Sequence, residues 1–169
     1  MRRIRLVHRS PIAEFANVVS TYRDEIYRVW IITPWIGRYT DGSTDPLQVL
    51  IDSLRGNRKC MITVITREPS ADTEWHKGAL RLLRENVAPT LFFCDSLHTK
   101  LYAIETGGMV AAMLGSPNLT PAANSVNKEL ALELRTTSST RSDEVSSTIY
   151  DLLDYARDLL GDDSVRIAT

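Results

Sequence analysis

Cysteine and histidine are scarce in this chain: two and three among 169 residues. No zinc-ligand spacing can be drawn from so few, and Cys60 and Cys94 each sit in an apolar run, as reduced core residues do. No metal site and no cofactor is expected. Charge of one sign is also lacking, since 20 Lys and Arg face 21 Asp and Glu for a net charge of −1. A uniformly basic nucleic-acid surface is thereby excluded, and any such binding has to come from a local groove or an associated protein. No apolar run approaches membrane-spanning length, and none follows the basic start Met1-Arg2-Arg3. A soluble, cytoplasmic protein without a signal peptide is the expectation. There is no internal repeat.

What is present is ordinary globular composition, 43% hydrophobic and 24% charged. The length predicts one domain over residues 1–169. Ile4 to Val7 reads as a strand. Ser10-Pro11 then caps a helix with Ile12, Phe15, Ala16, Val19 and Ile26 at helical spacing. Tyr27 to Ile36 is a strand buried on both faces, opening into a polar loop over 37–44. Asp45-Pro46 starts a second helix that Gly56 closes. Cys60 to Thr66 is the next strand, and Thr73 caps a third helix with Trp75, Ala79, Leu82 and Leu83 inward.

Thr90 to Cys94, Leu97 to Glu105 and Met109 to Leu114 read as three further strands. Residues Glu129 to Arg135 alternate polar and apolar, which predicts a strand with one polar face. Ser142 caps a last helix ended by Gly161, and the final eight residues are expected to be loose. Strands alternating with helices, then a run of strands, predict an α/β sandwich with helices on both faces of a mixed sheet.

The chemistry concentrates in one stretch. On a strand, His98 and Lys100 share a face, while Leu97, Thr99, Leu101 and Ala103 turn the other way. Gly115-Ser116-Pro117-Asn118 follows, then Asn127-Lys128-Glu129. The string H-x-K-x4-E-x9-G-S-x-N resembles the signature of the phospholipase D superfamily, over roughly residues 97–134. Glu105 stands where that family usually has Asp. Its parity is opposite to that of His98 and Lys100, so the change is expected to spare the site.

The resemblance implies a phospholipase D-like sandwich and a metal-independent phosphodiesterase. His98 would attack phosphorus, with Glu129 as the acceptor that fixes its tautomer. Lys100 would supply a point charge on a non-bridging oxygen, Asn118 an amide donor, and Ser116 would orient a neighbour. Trp35 and Arg67 each follow a buried strand and are candidates to stack on a base and grip a phosphate. His76 reads as a surface residue, His8 as structural, and Arg2, Arg3, Arg5 and Arg9 as a solvated flank.

Only one His-Lys copy is present, and the resemblance implies that single-copy chains pair about a two-fold axis. A homodimer or higher homo-oligomer is therefore expected, with both His98 rings on one phosphate and a phosphohistidine intermediate. The leading expectation is a nuclease acting on DNA or RNA. It would belong to a bacterial restriction or defence system and work beside a helicase or HerA-type translocase ATPase. The alternatives are a phospholipid phosphodiesterase or phosphatidyltransferase, and a non-catalytic nucleic-acid-binding assembly subunit.

Overall fold

The computed structural model describes residues 2–38, 45–125 and 127–168. Its strands are β1 (Arg2–Val7), β2 (Ile26–Ile32), β3 (Met61–Thr66), β4 (Thr90–Phe93), β5 (Leu101–Thr106), β6 (Val110–Gly115), β7 (Ala131–Thr136) and β8 (Arg166–Ile167). Its helices are α1 (Pro11–Tyr22), α2 (Pro46–Leu54), α3 (Glu74–Val87), α4 (Pro121–Ser125) and α5 (Glu144–Asp158). The strands form one sheet in the order β1-β7-β6-β5-β2-β3-β4-β8. β2, β3 and β4 run parallel, and the remaining pairs are antiparallel.

Alternation along the central strands explains why helices sit on both faces. Val29 and Ile31 of β2, Tyr102 and Ile104 of β5, and Ala111 and Met113 of β6 enter a core shared with α1, α2 and α3. Trp30 and Ile32, Leu101 and Ala103, and Val110 and Ala112 enter a second core closed by Ile149, Leu153 and Ala156 of α5. Each fully buried aliphatic side chain contributes roughly 1.5–3 kcal/mol, so neither face is stable bare. The α/β fold with helices on both faces is thus the one expected. Among the described residues, no helix is long and apolar enough to cross a membrane.

Several local expectations need correction. The stripe α3 buries is His76, Ala79, Leu80 and Leu83, whereas Trp75 is 49% exposed. Reading Trp as core and His as surface rotates that helix by one residue. Ser10 adopts a left-handed backbone with no side-chain cap bond, and Ile26 belongs to β2 rather than the first helix. Thr73 makes no side-chain cap at α3; it closes a capping box with Ser70 around the 3-10 turn Ala71–Thr73. Asp143, not Ser142, caps α5 by accepting from Ser146 N–H. The tail is not loose, since β8 pairs with β4 at Phe92 and Phe93. Cys60 lies before β3 and is only half-buried, while Cys94 is buried. Of the polar loop over 37–44, residues 39–44 lie outside the described ones.

Two strand carboxylates are buried, each among cations. Glu133 of β7 faces α1, ion-paired with Arg5 at 2.6 Å and with Arg135; Arg5 also reaches Glu14 at 2.8 Å. The polar face expected of this strand is therefore covered rather than solvated. Glu105 of β5 lies on the α5 side. It accepts from Trp30 Nε1 at 3.1 Å and Tyr27 OH at 3.4 Å, and pairs with Arg157 at 3.6 Å and Arg28 at 3.7 Å.

Candidate active site

The carboxyl ends of β2, β3 and β6 meet the amino ends of β5 and β7 along one edge of the sheet. Loops leaving strands at such an edge build the sites of open α/β sheets. Five segments contribute here: 33–37, 66–67, 97–100, 115–118 and 127–130.

His98 and Lys100 precede β5 rather than lying in it, because β2 pairs with β5 only as far as Ile32–Leu101. At Pro34 the neighbouring chain has no N–H to extend a ladder. The last tie to β6 is Gly115 N–H to Lys100 O at 3.2 Å. His98 is thereby left exposed, while Leu97 stays buried in the α5-side core. Arg67, the residue after β3, donates from Nη2 to His98 Nε2 at 3.1 Å and from Nε to Leu97 O at 3.0 Å. A guanidinium only donates, so His98 Nε2 presents its lone pair. Lys100 Nζ donates to the carbonyl of His98 at 2.9 Å. Among the described residues, neither Arg67 nor Lys100 makes an ion pair.

The β6–β7 side is held by short-range bonds. Ser116 N–H donates to Leu130 O at 3.0 Å, and Leu130 N–H donates to Ser116 Oγ at 3.1 Å. Ser116 Oγ also bonds Glu129 Oε2, and Asn127 Nδ2 donates to Glu129 Oε1 at 3.1 Å. Ser116 and Asn127 thus both hold the Glu129 carboxylate. The bond expected between Glu129 and His98 is not one the described residues make: Glu129 is engaged by Ser116 and Asn127. Gly115 is required here, since a Cβ would overlap the carbonyl oxygen of Leu130 and lie 2.7 Å from Ala131 Cα.

Asn118 Oδ1 accepts from Thr33 Oγ1 at 3.2 Å, and that hydroxyl also lies 3.3 Å from Trp35 O. With its oxygen so engaged, Asn118 offers its amide N–H groups to a ligand. Beneath this turn, buried Tyr102 donates to Pro117 O at 2.8 Å, and burial raises its phenol far above the ordinary value.

Thr33, Tyr102 and His76 are structural partners that the motif alone does not reveal. His76 is fully buried. Its Nδ1 lies 3.1 Å from the Ile36 amide and 3.0 Å from the Ile36 carbonyl; Nε2 is 3.0 Å from Arg67 O and 3.3 Å from Thr66 Oγ1. One imidazole therefore ties the end of β2 to the end of β3. It also packs edge-on against Trp35 at 5.5 Å, and the Arg67 guanidinium lies 5.4 Å over the same indole. Among the described residues, no group of three or more His, Cys, Asp or Glu could hold a metal ion.

No family model and no curated protein matches the chain. Solved structures do match. Nuc, a phospholipase D family member from Salmonella typhimurium, superposes with a TM-score of 0.68 at 14% identity, over 99% of each chain. NucT from Helicobacter pylori superposes at 0.62 and 14%, over 95% of this chain and 97% of its own. Phosphatidylserine synthase from Haemophilus influenzae gives 0.60 at 13%, covering 99% of this chain and 40% of that enzyme. The chain has the fold of the phospholipase D superfamily.

Proposed function

We propose that the protein is a metal-independent phosphodiesterase, and specifically a nuclease with a histidine nucleophile. One observation carries the reading: exposed His98 presents the lone pair of Nε2 toward Arg67, with a second cation, Lys100, bonded to the His98 carbonyl. A nucleophilic nitrogen beside one cation, with a second on the same residue's carbonyl and neither ion-paired among the described residues, is complementary to a phosphodiester anion. The fold shared with Nuc and NucT supports the same reading. A phosphate entering the site takes over the Arg67 and Lys100 donors and frees Nε2 for in-line attack. Asn118 adds an amide donor to an equatorial oxygen.

The Nε2–P bond forms as the P–O bond to the leaving group breaks. Water then cleaves the phosphohistidine, and no metal is needed for either displacement. The leaving oxygen needs a proton, and this chain carries one His-Lys pair. A second copy brought face to face supplies its own His98 as the acid, so the working unit is a homodimer. Exposed Ile4 and Leu6 on edge strand β1, and exposed Leu130, offer apolar side chains for that pairing. Glu129, already oriented by Ser116 and Asn127, is the carboxylate available to the imidazoles of the pair.

Residues 1–169 constitute one catalytic domain in this reading. Its net charge of −1 gives little unspecific hold on nucleic acid, because such affinity scales with neutralised phosphates. A DNA-gripping partner, such as a helicase or HerA-type ATPase of a bacterial defence complex in the cytoplasm, fits that deficit.

The test is incubation of the purified chain with single-stranded and plasmid DNA in EDTA, beside a solution mass. Cleavage by a dimer is expected, with a loss on the order of 10⁴-fold in His98→Ala. Undiminished cleavage by His98→Ala, or full activity from a monomer, overturns the mechanism.

A further inference from the structure

The indole of Trp75 is the feature the mechanism leaves unused. It stands on the first turn of α3, 49% exposed, beside a helix stripe that buries a histidine instead. Burial preferences run the other way. Its position is fixed from below and from the side. A Cβ on Gly37 would come within 3.2 Å of Trp75 Cε3, so the ring rests directly on that backbone. Half-buried Trp35 lies 6.0 Å away, centroid to centroid and tilted by 51°, and His76 packs against both indoles at 5.5 and 5.8 Å. The pair is continuous with the reactive centre, since the guanidinium 5.4 Å over Trp35 is the one whose Nη2 lies 3.1 Å from His98 Nε2.

We propose that Trp35 and Trp75 form a stacking shelf for an unpaired nucleobase, and that the substrate strand at this site is single-stranded nucleic acid. The inference rests on the phosphodiesterase reading for the phosphate that Arg67 and His98 receive. In a duplex each base is covered by its neighbours, whereas an unstacked base offers an open π-face to an aromatic ring, whatever its identity. An arginine between the aromatic shelf and the nucleophile suits a ligand whose base and phosphate are joined through one sugar. The shelf sets which strand is accepted, while His98 and Lys100 act on its backbone.

The experiment is a fluorescence titration of the 169-residue chain in the non-cleaving His98→Ala background, at fixed salt. The probes are a thymine oligonucleotide and a strand of equal length with abasic sugars. The base-bearing strand is expected to bind about five- to 150-fold more tightly and to quench indole emission. Adding Trp75→Ala should bring its affinity down to the abasic level, and Trp75→Phe should restore most of the preference. Thermal melting confirms that each variant is folded.

Equal affinities for the two strands, or a preference that survives Trp75→Ala, overturns the shelf. Cleavage of the thymine strand by the His98 protein in EDTA is read separately. Cleavage without base preference removes the shelf and keeps the phosphodiesterase, whereas base preference without cleavage does the reverse.

Discussion

His98 and Lys100 lie just before the amino end of β5, and Glu105 sits near its carboxyl end, yet the two ends are built on opposite terms. At the first, an exposed imidazole and an ammonium are held, in solvent-exposed bonds, by one guanidinium and one backbone carbonyl. At the second, a buried carboxylate is surrounded by Trp30, Tyr27, Arg28 and Arg157. The difference follows from the neighbouring strand. Where β2 has turned away at Pro34, the chain is open to a ligand; where β2 still pairs and α5 covers the sheet, a charge survives only with partners. A single stretch thus carries open polar groups at one end and a buried, partnered carboxylate at the other.

The sharpest way to break this comparison is to remove the anchor. Glu105→Ala strips Trp30 N–H, Tyr27 OH and Arg28 of their carboxylate and leaves Arg157 only Asp154. It should cost about 3 kcal/mol in urea unfolding, the low end for a broken buried pair because both arginines stay part-exposed. The kcat/KM of the molecules that remain folded should hold. Cleavage lost from fully folded Glu105→Ala would mean that the two ends are not independent.

A smaller effect separates the two ends of the β5–β6 hairpin. Gly115→Ala drives a methyl into the Leu130 carbonyl, at a cost of about 1–3 kcal/mol, and displaces Ser116 with its bond to Glu129. Gly108→Ala, at the far turn with open space around it, should stay within about 0.5 kcal/mol and leave activity unchanged. Matched losses in the two variants would show that the site end is no more constrained than the turn.

The smallest effect is a slope with pH. Burial first, and then the Glu105 charge, raise the Tyr27 phenol above its ordinary value. The folded chain therefore keeps a proton that the unfolded chain releases above about pH 10. The associated stability is complete below that pH and is lost as pH rises toward the folded value. Tyr27→Phe should flatten the alkaline limb of a urea-midpoint profile, leaving the residual slope of the Cys60 thiol and the buried Tyr102 phenol, both raised by burial. An unchanged limb would detach Tyr27 from the Glu105 pocket.

Much of this molecule is legible along the chain because period-two and period-3.6 patterns act locally. They locate the central strands, α2 and α5, and the parity argument places Glu105 off the His98 face. The errors arise where a neighbour overrules a residue's own preference. Trp75 is exposed because His76, with two backbone segments to bridge, takes the buried position on α3. The tail is ordered because the edge of β4 is free to pair with it.

What the sequence determined by itself is the alternation that sorts the side chains into two cores, together with the set of chemical groups at 98, 100, 116, 118 and 129. Only the tertiary structure decided which groups meet. Arg67 reaches His98 across 31 positions, Thr33 reaches Asn118 across 85, and Glu129 turns to Ser116. The reason is physical: hydrophobic periodicity depends on neighbours a few residues apart, whereas hydrogen-bond partners depend on where strand ends converge once the sheet has closed.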